Sequence, residues 1–478
     1  MSRKKIPIVA IVGRANVGKS SMFNHVLGTR EAIVADEAGT TRDSIYGKAS
    51  IVVEEPITES TDNNPKSPNK KNYVKEIQKD FWLVDTAGLK VAEDDFEFTI
   101  QEQIAQAADT ADVIIVMIEA EGSITEEDRR VAKMALKTRK PVILAVNKVD
   151  KVKNPNIDDY RKLGIKAIHL TSVSQGRGVE ELFETVATYL TPATITEEDD
   201  RIKIAILGRP NVGKSHLFNT LAKKQQAVVA DVAGTTRDIN RTVVRYMQRE
   251  IELMDTAGIR RNGKIERGVE KFSVIRTLSA IEQSDVCLLL VDANEPSVTL
   301  DQKIAGMIKD AHKGFVIVIS KWDSVEDKDA FTHDKLLPRI KYDFDFVPWA
   351  PVIVTSSVTG QNVAKIFDLV LEIEATRKRT IKTTELNNWL HRITDRHPPA
   401  GLKNRQPKLR YIVQEDGMNY PSFKVFGSQL KYLHWSYRRH MERTFRETFD
   451  FHGTGIKFWF IEQHEPKKPG SHGRKKPR

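Results

Sequence analysis

The sequence predicts an α/β chain: two tandem, mostly parallel, doubly wound sheets followed by a small α+β module. The first observation behind this is a duplication. GRANVGKSSMFN (Gly13–Asn24) returns as GRPNVGKSHLFN (Gly208–Asn219), and later segments repeat in the same order. ADEAGTTRD (Ala35–Asp43) is matched by ADVAGTTRD (Ala230–Asp238), and WLVDTAG (Trp82–Gly88) by ELMDTAG (Glu252–Gly258). PVILAVNKVD (Pro141–Asp150) is matched by FVIVISKWD (Phe315–Asp323), and LTSV (Leu170–Val173) by VTSSV (Val354–Val358). That spacing is a domain duplication rather than a short solenoid repeat. Second, short β-branched runs alternate with helix-length amphipathic stretches in each copy, the pattern of strands joined by crossover helices. Third, the pattern and the charge both change near residue 381. Residues 381–478 hold 20 Lys+Arg against 9 Asp+Glu, more than the whole net charge of +10. The expected division is 1–192, an acidic linker 193–201, 202–380, the small module 381–464 and a basic tail 465–478.

Composition bounds the class. A chain of 478 residues with 40% hydrophobic and 29% charged residues suits a globular protein of about three domains. Its longest apolar runs, VIIVMI (Val113–Ile118) and VCLLLV (Val286–Val291), fall far short of the roughly 20 residues a membrane span needs. The opening MSRKKIPIVAIVG resembles a basic, then apolar, leader but runs straight into the glycine-rich loop, so it reads as the first core strand. Cys287 is the only cysteine and sits in an apolar strand pattern, as a small buried hydrophobe. These features fit a reducing cytoplasm. The segregated basic module makes nucleic acid a candidate partner.

Each repeated motif has a chemical reason. G-x-x-x-x-G-K-S is a phosphate-binding loop, in which glycines let backbone N–H groups approach phosphates at a helix N-terminus. Lys19 and Lys214 are expected to reach the β- and γ-phosphates, and the hydroxyls of Ser20 and Ser215 to ligate Mg²⁺. Asp85 and Asp255, at strand ends, hold Mg²⁺ through its waters, while Gly88 and Gly258 offer an N–H to the γ-phosphate. The Asp150 carboxylate can accept from both N1–H and N2–H₂ of guanine, a charge-assisted pair that adenine cannot make. The base is therefore guanine and the reaction GTP hydrolysis. The nucleotide contacts expected of the first unit are Gly13, Arg14, Ala15, Asn16, Val17, Gly18, Lys19, Ser20, Asp85, Thr86, Ala87, Gly88, Leu89, Asn147, Lys148, Val149, Asp150, Ser172 and Val173. Those of the second are Gly208, Arg209, Pro210, Asn211, Val212, Gly213, Lys214, Ser215, Asp255, Thr256, Ala257, Gly258, Ile259, Ser320, Lys321, Trp322, Asp323, Ser356 and Ser357.

With these motifs the whole chain resembles the Der (EngA) family of double GTPases, two P-loop GTPase domains followed by a KH-like module. The resemblance implies a role in late assembly of the large (50S) ribosomal subunit, with rRNA and ribosomal proteins as partners, no membrane, and a monomeric state. N-V-G-K-S followed by A-G-T-T-R-D is similar to potassium-activated GTPases, which implies K⁺ at Asn16 and Asn211. It also implies that Thr41 and Thr236 close over Mg²⁺ when the γ-phosphate is present. Leu89 and Ile259 follow DTAG, and neither has an amide to orient the attacking water. Backbone, K⁺ or a partner must place that water, and K⁺ is expected to supply the charge an arginine finger supplies elsewhere. A related role, partner in tRNA modification, would need a modification domain, and the C-terminus has no cysteine and no cofactor motif. A scaffold with purely structural nucleotide is the other rival; loss of function in Ser20→Ala and Asp85→Ala variants would count against it.

Three departures stand out. Gly208 lies 195 residues after Gly13, but Asp255 only 170 after Asp85, so the first unit carries 25 extra residues. They centre on the polar EEPITESTDNNPKSPNKKN (Glu54–Asn72), which is expected to be a disordered loop. In the second unit Ser320 replaces the amide that braces the base pocket, which predicts weaker binding with guanine preference kept by Asp323. His216 replaces the usual Ser or Thr beside the α-phosphate, at the wrong end of the triphosphate to be catalytic.

In the last module, TTELNNWLHRITDRH reads as a helix capped by Thr384, KLRYIVQE and SFKVFG as strands, SQLKYLHWSYRRHMERTFRETFD as one long helix and GIKFWFIEQ as a strand. The order is αββαβ. KH domains clamp RNA with a G-x-x-G loop, and the only match here, GSHG (Gly470–Gly473), lies in the tail and is set aside. Two roles remain open for the module: contact with rRNA through Arg405, Lys408 and Arg410, or packing between the other two units to transmit their state. Trp389, Tyr432 and Trp435 read as core rather than as base-stacking platforms.

Overall fold

The computed structural model describes residues 6–29, 46–56, 74–85, 111–153, 155–190, 201–224, 240–255, 274–325, 332–402 and 405–463. The expectations for Thr41, Thr236, residues 86–89 and 256–259, most of the polar insertion, nearly all of the linker and the tail lie outside these residues.

The first unit comprises β1 (Ile8–Val12), α1 (Lys19–Thr29), β2 (Tyr46–Pro56), β3 (Val74–Asp85), β4 (Val113–Glu119), α2 (Glu126–Leu136), β5 (Val142–Asn147), α3 (Ile157–Arg161), β6 (Ala167–Leu170) and α4 (Val179–Tyr189). Its sheet runs β2-β3-β1-β4-β5-β6. Among the described residues only β2 is antiparallel, to β3, with Tyr46 opposite Val84. β1 is buried along its whole length, as a central parallel strand covered on both faces must be.

The second unit comprises β7 (Ile202–Leu207), α5 (Lys214–Lys224), β8 (Asn240–Tyr246), β9 (Arg249–Asp255), α6 (Val274–Gln283), β10 (Val286–Asp292), α7 (Thr299–Asp310), β11 (Gly314–Ser320), α8 (Thr332–Asp343), β12 (Val352–Val354) and α9 (Lys365–Arg377). The order β8-β9-β7-β10-β11-β12 repeats the first sheet strand for strand. Cys287 is fully buried in β10, and burial pushes its thiol up to about 11, which keeps it inert.

The C-terminal module comprises α10 (Thr383–Arg396), β13 (Lys408–Gln414), β14 (Ser422–Ser428), α11 (Trp435–Phe449) and β15 (Lys457–Glu462), with sheet order β13-β14-β15. The expected αββαβ order holds. Two details differ. Thr384 is inside α10, whose N-cap is Lys382 and makes no side-chain cap bond. The expected long helix is broken: Leu430–Tyr432 forms a separate 3₁₀ turn, and His434 caps α11 by accepting from Ser436 N–H. The break has an identifiable cause. Gln429 takes a left-handed backbone (φ 60°), and the Glu462 carboxylate accepts from the N–H groups of Gln429 and Leu430.

The three units pack together. The Trp82 indole of the first donates to Glu282 Oε1 of the second at 2.7 Å in a buried setting. Phe315 N–H donates to Gly453 O at 2.8 Å, the His312 and Tyr420 rings lie 4.9 Å apart, and Arg377 donates to Asn419 O at 2.5 Å.

Candidate functional site: two phosphate loops

In each unit the central strand turns into a loop whose geometry only glycine tolerates at the critical point. A Cβ on Gly13 would lie 2.3 Å from Met117 O, and one on Gly208 2.7 Å from Leu290 O. The loop then bends through Asn16 (φ 64°) or Asn211 (φ 61°) into α1 or α5. Lys19 is buried, and its ammonium donates to Gly13 O (2.7 Å) and Arg14 O (2.6 Å). Burial lowers its pKa, while the nearby Asp85 charge opposes that shift. Lys214 repeats the contacts, to Gly208 O at 3.2 Å and Arg209 O at 2.8 Å. Ser20 Oγ donates to Asp85 Oδ2 at 2.5 Å, and Ser215 Oγ to Asp255 Oδ2 at 3.1 Å. Residues 65 and 40 positions apart thus converge beside each helix N-terminus, a pairing of hard oxygen donors that fits Mg²⁺.

The base-pocket residues also come together. Asn147 donates to Val17 O at 2.9 Å, and its carbonyl accepts from Val173 N–H at 3.2 Å and Thr171 Oγ at 3.4 Å. It ties the phosphate loop to the L-T-S-V turn. Ser172 Oγ donates to Asp150 Oδ1 at 2.6 Å, aligning the carboxylate expected to read guanine. Lys148, in a left-handed conformation, bonds Asn16 O and Glu119, which itself is held below the usual carboxylate range chiefly by Lys148.

In the second unit Ser320 does more than its size suggested. Its hydroxyl donates to Val212 O at 2.8 Å, so the link to the phosphate loop survives. The other half of the brace is missing: Ser320 Oγ has no amide carbonyl for the turn, and its other contact is Val291 O at 3.2 Å. Ser356 Oγ bonds Asp323 Oδ1 as Ser172 bonds Asp150. Thr220 Oγ donates to Ser357 O at 3.2 Å, bringing that turn onto α5. Lys321 pairs with Asp292 at 2.7 Å. His216 is exposed on the first turn of α5.

Sequence reasoning missed the anchors of the loop arginines. Arg14 pairs with Glu119 (3.1 Å) and Asp128 (3.3 Å), and Arg209 with Glu295 and with Asp301 (3.7 Å). A signal was available in the first case: TEED (Thr125–Asp128) is a capping-box pattern, and both reciprocal bonds form.

In the C-terminal module Arg405, Lys408 and Arg410 are all exposed. Arg405 lies over the Tyr432 ring at 5.7 Å. Lys408 and Arg410 are on the edge strand β13. Trp389 is core as expected, packed edge-on to Phe445 at 4.9 Å. Trp435 is not: it is 45% exposed, with the Arg439 guanidinium 4.8 Å from its ring. It escapes the core because the early break of the helix places it in the first turn of α11.

These geometries agree with sequence comparisons. A family model described as 50S ribosome-binding GTPase matches residues 8–148 and again 203–321. A second, described as the KH-domain-like C-terminal region of EngA bacterial GTPase enzymes, matches residues 380–460. A GTPase Der of Chloroflexus aggregans is 39% identical over 459 residues, covering 94% of this chain and 96% of that one. The chain belongs to the GTPase Der family. Another Der relative, from Herpetosiphon aurantiacus, is 37% identical and covers 98% of this chain and 99% of its own. Among solved structures, Era in complex with MgGDPNP and a segment of 16S ribosomal RNA aligns at 19% identity with a TM-score of 0.29. It covers 56% of this chain and 94% of that one. The G domain of the T. maritima FeoB iron transporter aligns at 24% identity with a TM-score of 0.25, over 36% of this chain and 98% of that one. The double-GTPase character of the Der family thus coincides with two phosphate-loop units built on one topology.

Proposed function

We propose that this protein is a GTP-hydrolysing assembly factor for the large ribosomal subunit, working as a two-site nucleotide switch in the cytoplasm. The observation that carries this reading is the doubled convergence of lysine, serine and aspartate at each phosphate loop, each with a serine-aligned aspartate in its base pocket. Lys19 and Lys214 now satisfy two loop carbonyls each, and those bonds mark where phosphate oxygens would bind. The ammonium exchanges partners without leaving its position, so no reorganisation opposes charge development on the transferred group. Ser20 with Asp85, and Ser215 with Asp255, would hold Mg²⁺, which neutralises charge on the β- and γ-oxygens. Asn16 and Asn211 are exposed at matching left-handed turns, in position to serve the K⁺ sites that family resemblance implies. The residues after DTAG, Leu89 and Ile259, cannot orient water, which leaves that task to backbone, K⁺ or a partner.

The C-terminal module supports both roles open to it. Its contacts with the second unit suit transmission of domain state, and its exposed Arg405, Lys408, Arg410 and Trp435 suit RNA. Nothing in its described residues favours tRNA chemistry. The test is GTP turnover by Lys19→Ala and Lys214→Ala full-length variants in K⁺ and in Na⁺, beside co-sedimentation with large subunits. Each variant should retain K⁺-stimulated turnover from its intact site. Equal rates in Na⁺ and K⁺ would sink the potassium role, and subunit binding indifferent to GTP and GDP would sink the switch.

A further inference from the structure

The second residue of each phosphate loop is an arginine that reaches the helix following the fourth strand of its sheet. In the first unit that helix, α2, has Thr125 as N-cap. Asp128 Oδ2 accepts from the Thr125 N–H (3.1 Å) and hydroxyl (2.7 Å), while its Oδ1, outside hydrogen-bond geometry, is ion-paired with Arg14 Nε at 3.3 Å. In the second unit the N-cap of α7 is Val298, with no side-chain cap bond. Asp301 is 0% exposed, neither carboxylate oxygen has a partner in hydrogen-bond geometry, and Arg209 Nε is 3.7 Å away. The remaining nitrogens of Arg209 go to Glu295, to its carboxylate and to its backbone oxygen at 2.6 Å.

We propose that Asp301 is a positioning residue for the second phosphate loop, holding it through Arg209 only while ionised. Because Val298 stands where the capping threonine stands in the first unit, this hold relaxes in mild acid at the second site alone. The inference rests on the reading of that loop as a nucleotide site. The charged groups facing Asp301 are Arg209, Glu295 and Asp292. Burial pushes its carboxyl up from the ordinary 3.8 to about 6, against the pulls of Arg209 and of the Val298 backbone. Once Asp301 is neutral, Arg209 keeps only Glu295, whose side chain is 72% exposed and screened by solvent. The carbonyl of Arg209 also accepts from Lys214, so movement of this residue shifts the lysine that grips phosphate. The sign of the fold stability is opposite. A carboxyl with a raised folded pKa takes up a proton in the fold between about 6 and 3.8, so acid stabilises the fold through this group while loosening the loop.

The experiment is mant-GDP titration of full-length protein from about pH 7.5 to about pH 5.5, in a Lys19→Ala background that silences the first site. A Lys214→Ala chain serves as the first-site control, which shares the nucleotide's own titration. The second site should lose about three- to tenfold in affinity beyond the control. Val298→Thr should flatten that excess. Asp301→Asn should bind weakly at every pH, with a melting temperature at pH 7.5 no lower than that of the parent. Parallel profiles at the two sites, or an Asp301→Asn chain that binds as tightly as its parent at pH 7.5, would overturn the proposal. Absence of any mant-GDP binding by the Lys19→Ala chain would instead overturn the nucleotide-site reading beneath it.

Discussion

The two phosphate loops differ less in the residues expected to grip phosphate than in what braces them. Both place a buried lysine on two loop carbonyls and a serine on a strand-end aspartate. Around the first, Asn147 reaches both the loop and the turn, and Lys148 bonds Asn16 O. Around the second, Ser320 keeps the bond to the loop alone, and Lys321 pairs with Asp292. One duplicated backbone can thus carry two degrees of rigidity, because carbonyl-to-lysine bonds are local whereas bracing depends on long side chains from other strands. The second site is therefore expected to bind guanine nucleotide more loosely while keeping its base preference.

The largest effect should come from Lys19→Ala. Loss of a positioned charge at the transferred group costs about 10²–10³ in rate at that site, and the residual GTP turnover measures the second site's share. Near-complete loss of activity would make the second copy a sensor. Next, Asp150→Asn or Asp323→Asn removes a charge-assisted pair worth about 1.5–3 kcal/mol. Titration with guanosine nucleotides should show roughly 10- to 100-fold weaker binding at the altered site, and equal losses at both would confirm that Ser172 and Ser356 align their carboxylates alike.

The comparison sharpens with Ser320→Asn and its reverse, Asn147→Ser. One restored or lost hydrogen bond is worth about 1 kcal/mol, so each should shift nucleotide affinity about fivefold, in opposite directions. An unchanged affinity in Asn147→Ser would mean that the tie to the turn contributes nothing. His216→Ser should change affinity and turnover by less than about twofold, since exposed substitutions away from special contacts stay within about 0.5 kcal/mol. A larger change would put the imidazole on the nucleotide.

Much of this was legible in the residue string. Both sheets follow from alternating apolar runs and helix-length stretches, because a parallel strand buried on both faces must be apolar throughout. The positions of the loop lysines, the pairing of Ser20 with Asp85 and the convergence of Asp150 and Asp323 with their serines were legible because their motifs encode local chemistry at fixed spacing. The break between Leu430–Tyr432 and α11 was not, since it depends on the distant Glu462 reaching back to cap the turn. Trp435 was misplaced into the core for the same reason.

By itself the sequence determined the duplication, the guanine-nucleotide chemistry and the basic C-terminal module, since each is written in contiguous residues. Only the tertiary structure showed that Ser320 still reaches the phosphate loop. It alone placed Trp82 against Glu282 between units and left Asp301 buried without the hydroxyl that Thr125 gives Asp128. Those outcomes depend on which side chains from separate strands and helices meet, and spacing along a chain does not specify distances across a packed interior.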